Sequence, residues 1–190
     1  MKKIVVLLLA FVTIALAESA DRTGPYIAVG GGYAVFNDDN RMGPEPIEPS
    51  YNLNLIGGAF INKYLSVELS FDYFDTFRSE FHDNTTDIYI FEAVTKVHYP
   101  FWKERIDLYA AFGAGGIAWK ETLGGVSQED NSGALSGDVG IGFRTLDWLT
   151  LNMGYRRYYF TLDQVDNSGV VTQQYNMELS SAYVNIEVQF

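Results

Sequence analysis

Leu65-Ser66-Val67-Glu68-Leu69-Ser70-Phe71-Asp72-Tyr73 alternates without a break, with Leu, Val, Leu, Phe and Tyr on odd positions and Ser, Glu, Ser and Asp on even ones. Successive side chains of an extended chain point to opposite faces, so nine residues of strict period two predict a strand with one greasy and one polar surface. The same rule works outward in both directions. Tyr26 to Phe36 sets Ile27, Val29, Tyr33 and Val35 against Ala28, Gly30, Gly32 and Ala34, and Tyr51 to Ile61 sets Tyr51, Leu53 and Leu55 against Asn52 and Asn54. Asp87 to Tyr99 is the least regular, because Ile88, Ile90 and Val94 share the side of Glu92, Lys96 and His98.

Four more segments follow: Ile106 to Trp119, Leu135 to Phe143, Leu149 to Phe160 and Tyr175 to Phe190. Between the eight strands, long polar connections (37–50, 74–86, 121–134 and 161–174) alternate with short ones (62–64, 100–105 and 145–148). In an antiparallel meander this gathers every long loop at one end and the short turns and both termini at the other, the arrangement of an eight-stranded up-and-down transmembrane β-barrel with short periplasmic turns.

Aromatic residues flank the apolar stretches. Tyr64, Tyr99, Phe101, Trp102, Trp148 and Phe190 fall at the short-turn end. Tyr33, Phe36, Tyr51, Tyr73, Phe74, Trp119, Tyr158 and Tyr159 fall near the long loops. Rings with an apolar body and a polar edge settle at headgroup level, so two belts predict two membrane interfaces. A secreted soluble ligand carrier with an apolar interior would reverse the two faces; the girdles and the small, charged second face favour the membrane.

Lys2 and Lys3, the apolar run from Ile4 to Ala15, and Ala15-Leu16-Ala17 read as a cleaved signal peptide over residues 1–17, leaving 18–190 as the barrel domain. The apolar run is too short for a spanning helix, which needs about 20 residues. Loss of the two lysines moves the formal charge from −11 to −13, so nucleic acid is not an expected partner. There is no cysteine, and stability has to come from elsewhere than disulfides.

Three stretches carry a family resemblance: Tyr109-Ala110-Ala111-Phe112-Gly113-Ala114-Gly115-Gly116, Gly137-Asp138-Val139-Gly140-Ile141-Gly142-Phe143-Arg144 and Leu149-Thr150-Leu151-Asn152-Met153-Gly154-Tyr155-Arg156. With the terminal aromatic, they resemble the small outer-membrane barrels, those of the OmpA transmembrane domain, OmpX and the outer-membrane β-barrel domain group. The resemblance implies location in a Gram-negative outer membrane, contact with its lipid and lipopolysaccharide, and insertion by the barrel-assembly machinery. Val184, Ile186, Val188 and Phe190 look like the family's C-terminal assembly signal. OmpA continues into a peptidoglycan-binding domain and this sequence stops at Phe190, so a tethering role is not carried over. Fold and compartment follow from such a resemblance more readily than function.

Eight strands enclose a lumen that side chains fill, whereas open pores need roughly 16. The inward positions supply Glu68, Asp72, Glu92, Asp107, Asp138 and Glu187 against Lys96, Arg144 and Arg156. Charges withdrawn from water must be paired, so an internal ion-pair network is expected, with Glu68–Lys96 and Asp138–Arg156 as its leading pairs. A narrow gated ion conduit is the competing use of such a lumen.

No cofactor, metal or catalytic residue is expected. Gly113 to Ala118 fits the pattern G-x-G-x-x-A, but that pattern cradles a pyrophosphate only at the start of a helix, and Gly124-Gly125 interrupts too soon. His82, with Glu80 nearby, and His98 lack zinc-site spacing. A lipid A hydrolase is a third reading; lipid A deacylases of this size carry His-x-Ser, yet here His82 is followed by Asn84 and His98 by Pro100. The expected function is that of a non-enzymatic, integral outer-membrane protein whose four acidic loops meet host or cell-surface ligands. Arg41, Met42, Pro44, Pro46 and Pro49 make the first loop the stiffest contact.

Overall fold

A computed structural model describes residues 22–37, 47–78, 85–123, 126–165 and 171–190. Eight strands close into one antiparallel barrel in sequence order: β1 (Gly24–Asn37), β2 (Ser50–Asn62), β3 (Leu65–Arg78), β4 (Thr85–Phe101), β5 (Ile106–Leu123), β6 (Val126–Leu146), β7 (Leu149–Val165) and β8 (Val171–Gln189). Pairing of β1 with β8, from Tyr26↔Gln189 to Asn37↔Glu178, leaves no free edge. Closure satisfies each strand's backbone within the wall, the condition for crossing a bilayer with strands. Among the described residues no helix is long and apolar enough to cross a membrane.

The decisive alternation of β3 is realised residue by residue: Ser66, Glu68, Ser70 and Asp72 are buried, while Val67, Leu69 and Phe71 are exposed. Val29, Leu53, Phe91, Phe112, Val139 and Ile186 extend this exposed apolar wall around the barrel. Continuous apolar surface on that scale marks a face that meets something other than water.

Two of the long connections prove to be largely strand. Pairing of β5 with β6 runs to Leu123↔Val126, and that of β7 with β8 to Val165↔Val171. Segments 121–134 and 161–174 are therefore mostly tall hairpin arms rather than loops. Polar residues there hide the strands, since backbone pairing continues beyond the apolar wall whatever the side chains. The short connections are tight, and Trp102, Lys103 and Glu104 all take left-handed backbone angles (φ 48, 58 and 61). Such angles cost of order 1–3 kcal/mol per residue, so among the described residues non-glycine backbone strain gathers in this turn.

The lumen is layered. Its loop-side end is an apolar plug in which Phe74, Phe77, Ile88, Ile90, Trp119, Tyr158 and Leu179 pack together. This corrects the assignment of Trp119 and Tyr158, and with them Phe36 and Phe74, to the outer girdle. No register shift separates Trp119 from the inward Tyr109, nor Tyr158 from the inward Arg156, so parity carries both rings inside. Phe74 and Phe77 are three residues apart yet both inward because an irregularity in β3–β4 pairing lies between them, as an inserted bulge residue requires. Tyr159, Tyr64, Trp102 and Trp148 remain exposed on the outer wall or turns, as a girdle requires.

Candidate functional site

Below the plug the lumen is polar. Among the described residues, six buried carboxylates (Glu68, Asp72, Glu92, Asp107, Asp138 and Glu187) face three buried cations, Arg22, Lys96 and Arg156. Two clusters organise them.

Arg156, projecting from the middle of β7, centres the first. Its Nε and Nη2 donate to Asp138 Oδ2 at 3.0 and 2.9 Å, the adjacent position on β6. Its Nη1 donates to Asp72 Oδ2 at 3.2 Å and Glu92 Oε1 at 3.3 Å across the lumen. Ser136 donates to Glu92 Oε2 at 2.5 Å and Tyr183 to Asp138 Oδ2 at 2.7 Å. One guanidinium thus ties β3, β4, β6 and β7 together, using the planar fork that a lysine lacks. Gly113 makes room for this cluster, because a Cβ there would stand 2.4 Å from both Glu92 Oε2 and Ser136 Oγ.

Lys96 and Glu68 centre the second, nearer the short turns. Lys96 Nζ lies 2.5 Å from Glu68 Oε1, which also accepts a short hydrogen bond from Tyr26. The Tyr26 hydroxyl lies 3.2 Å from Ser66 Oγ, Ser66 lies 2.8 Å from His98 Nε2, and His98 Nδ1 lies 2.6 Å from Asp107 Oδ2. Arg22 Nη1 completes the chain at 2.7 Å from the same Asp107 oxygen, with its guanidinium 4.5 Å over the Phe60 ring. Glu187 accepts from Asn152 at 3.0 Å. The two clusters meet where the Tyr109 and Tyr183 hydroxyls stand 3.0 Å apart.

Of the residues expected in the lumen, Arg144 alone is elsewhere. It sits at the last rung before a register shift, half-buried, and turns back to donate to the Asp147 carbonyl through Nε and Nη2 at 3.1 and 2.6 Å. At the barrel mouth a long side chain can reach a turn carbonyl, so Arg144 does not join the three buried cations, Arg22, Lys96 and Arg156. Arg22 takes the mouth position instead. It precedes the first strand, where no periodicity could reveal it. Tyr26, Tyr109 and Tyr183 were within reach of the sequence, since their parity is inward.

Ser66, His98 and Asp107 have the connectivity of a nucleophile, base and orienting acid, which merits a chemical test. Ser66 is 0% exposed, so a scissile carbonyl has no approach to its Oγ. His98 packs at a tilt against Phe60, ring centroids 5.1 Å apart, and Asp107 is shared with Arg22, which competes for the charge that would stabilise an imidazolium. The trio is a hydrogen-bonded strut between β3, β4 and β5. Incubation of the folded protein with a fluorophosphonate is expected to add no mass to Ser66; an adduct on intact-mass analysis, lost on Ser66→Ala, would make it a nucleophile. Among the described residues no group of three His, Asp or Glu side chains is placed to hold a metal. His82 lies outside the described residues. Gly113 to Ala118 lies within β5, with no helix to receive a pyrophosphate.

On the outer wall of β8, Val184 and Ile186 are exposed, with Val188 and Phe190 half-buried. Phe190 N donates to the Pro25 carbonyl at 2.9 Å, extending the closing seam.

Comparison with known proteins agrees with this architecture. Neisserial surface protein A superposes with a TM-score of 0.68 at 17% identity, over 88% of this chain and 97% of its own. Ail, the attachment invasion locus protein of Yersinia pestis, gives 0.53 at 17% identity over 86% and 98%. The outer membrane protein OprG of Pseudomonas aeruginosa gives 0.55 at 11% identity over 90% and 98%. No curated protein sequence matches the chain significantly. The family described as outer membrane protein beta-barrel domain matches residues 4–190. An exposed apolar wall around a closed polar lumen, matched over nearly the whole chain, makes this protein a member of that family and a resident of the Gram-negative outer membrane.

Proposed function

We propose that the protein is a non-enzymatic structural barrel that works through its loop end as a surface-interaction module. The observation that carries this reading is the occluded lumen: Phe74, Tyr158 and their neighbours close it above Arg156, and the ion-pair clusters fill it below. With side chains of the described residues filling the lumen, exchange with the surroundings falls to its ends. The conduit reading makes a contrary demand, namely discrete openings in planar-bilayer recordings. We expect none from the folded protein.

The four connections, 37–50, 74–86, 121–134 and 161–174, carry twelve acidic residues against two arginines, a formal balance of −10. Ail has been crystallised with sucrose octasulfate, a heparin analogue. An acidic rim repels such a polyanion, and electrostatic complementarity selects basic partners instead. The folded protein is expected to flow through heparin resin at low salt, and cells displaying it to bind polylysine-coated surfaces better than cells with residues 37–50 deleted. Retention on heparin, or equal binding by the deletion, would overturn the surface reading. The row Val184, Ile186, Val188 and Phe190 is proposed as the signal read by the barrel-assembly machinery, and residues 1–17 as the export signal that precedes it.

A further inference from the structure

A groove of about 410 Å³ runs up the outer wall, lined by Tyr33, Val35, Tyr155, Arg157, Glu178 and Ala182 among others. Strand register explains its shape. Across β7, β8 and β1 the outward rows read Tyr155·Ala182·Tyr33, then Arg157·Ser180·Val35, then Tyr159·Glu178·Asn37. Small residues on the central strand between large ones on both sides make a trough along β8, and Tyr51 braces one wall with its ring 5.9 Å from Tyr33. The trough is apolar at Ala182 and becomes polar toward the loop end.

Its polar end is organised around Arg157. Nε stands 2.9 Å from Glu178 Oε1, Nη1 donates to the Tyr159 hydroxyl at 3.5 Å and Nη2 to the Tyr155 hydroxyl at 3.3 Å. Both tyrosine hydroxyls accept from the guanidinium, and each keeps one rotatable proton that it can donate. An anion resting there meets a cation flanked by two O–H groups, the arrangement that favours phosphate. Glu178 offers an acceptor beside it for a hydroxyl or amide N–H. Volume and polarity place the groove within the ~300–1,000 Å³ range of small-molecule sites that combine apolar walls with a few polar groups.

We infer that this trough is a docking site for lipid A, the acylated and phosphorylated glucosamine anchor of lipopolysaccharide, with an acyl chain along Ala182 and a phosphate on Arg157. The occupant follows from three features together: an acyl-sized furrow, a phosphate-type donor set, and an adjacent carboxylate matched to sugar hydroxyl and amide donors. The loop-side position also matters, and here the inference rests on the loop-outward orientation of the proposed function. Phosphatidylethanolamine shares the phosphate and the chain, so it is the control.

Native mass spectrometry of the detergent-folded full chain tests the site with lipid A, dephosphorylated lipid A and phosphatidylethanolamine as separate probes. One lipid A per barrel should be retained. Ala182→Phe, which fills the trough, should weaken retention about tenfold or more, and Ser180→Leu gives a second filling variant should the first fold poorly; Ala110→Phe, on the opposite wall, should not. Arg157→Gln should weaken lipid A about tenfold, the loss of one charge-assisted contact, without changing the dephosphorylated form. Equal retention by Ala182→Phe and wild type, or equal binding of all three lipids, would overturn the inference. Binding in detergent does not depend on loop partners or membrane orientation, so failure of the surface reading leaves this result interpretable.

Discussion

Arg156→Met is expected to lower the unfolding free energy of the folded barrel by about 3–5 kcal/mol, the cost of leaving buried charge uncompensated. Methionine is apolar and matches the arginine's aliphatic stem, so what is lost is the guanidinium. Asp72, Glu92 and Asp138 would remain together in a water-poor interior with no cation among them, Lys96 being engaged by Glu68. The effect is asymmetric. Glu92→Gln keeps the Ser136 contact and removes one of three carboxylates from one cation, so it should change stability by less than about 1 kcal/mol, the worth of one neutral hydrogen bond. In the Arg156→Met background the same substitution should restore part of the loss, because the two sites share a network and cannot act additively. Urea unfolding in detergent micelles, followed by tryptophan fluorescence and by the heat-modifiable gel shift, reads all four proteins. An Arg156→Met midpoint equal to that of wild type would mean that the lumen is wet enough to solvate its own carboxylates.

The sequence showed the barrel because its signal is local: each strand announces two faces through neighbouring residues, and every strand was found. Two kinds of information were less legible. Strand length above the membrane was hidden, since β5–β6 and β7–β8 go on pairing through polar residues at Lys120↔Glu129 and Asp163↔Gln174. A lipid-facing wall constrains side chains only where lipid is present, so apolar alternation stops before hydrogen bonding does. The inside of the barrel was legible in its charged half, where parity named Glu68, Lys96, Asp138 and Arg156, and misleading in its apolar half. An aromatic ring near a loop suits both a girdle and a plug, and only counting parity through from Tyr109 to Trp119, or from Arg156 to Tyr158, separates them. Arg144 shows the converse: its parity is inward, but a position one rung from the mouth lets a flexible side chain leave. Arg22 lay beyond any periodic segment.

Phe74→Ala tests the other half of the lumen. Phe74 is fully buried, packs edge-on to Tyr158 with ring centroids 5.9 Å apart, and lies 6.4 Å from Phe77. Removal of a buried aromatic ring costs about 3–5 kcal/mol where the surroundings cannot collapse, and a barrel wall held by its backbone ladder collapses less than a helix bundle can. Tyr158→Phe is the measured contrast. It keeps the ring and deletes only the hydroxyl, which accepts from Arg156 Nη1 at 3.3 Å and bonds Asp72, so about 1.5–3 kcal/mol is expected, the range for a hydrogen bond to a charged group. The pair separates packing from polar contact at one place. The lipid-facing wall gains little from leaving water for hydrocarbon once the chain is already in the bilayer, so interior packing has to distinguish the closed barrel from looser membrane-bound states. Phe74→Ala should therefore lower the temperature of the heat-modifiable gel shift well below that of Tyr158→Phe. If both substitutions move it equally, the plug is held by the Arg156 hydroxyl contact rather than by its rings. If neither moves it, the ladder alone holds the barrel shut.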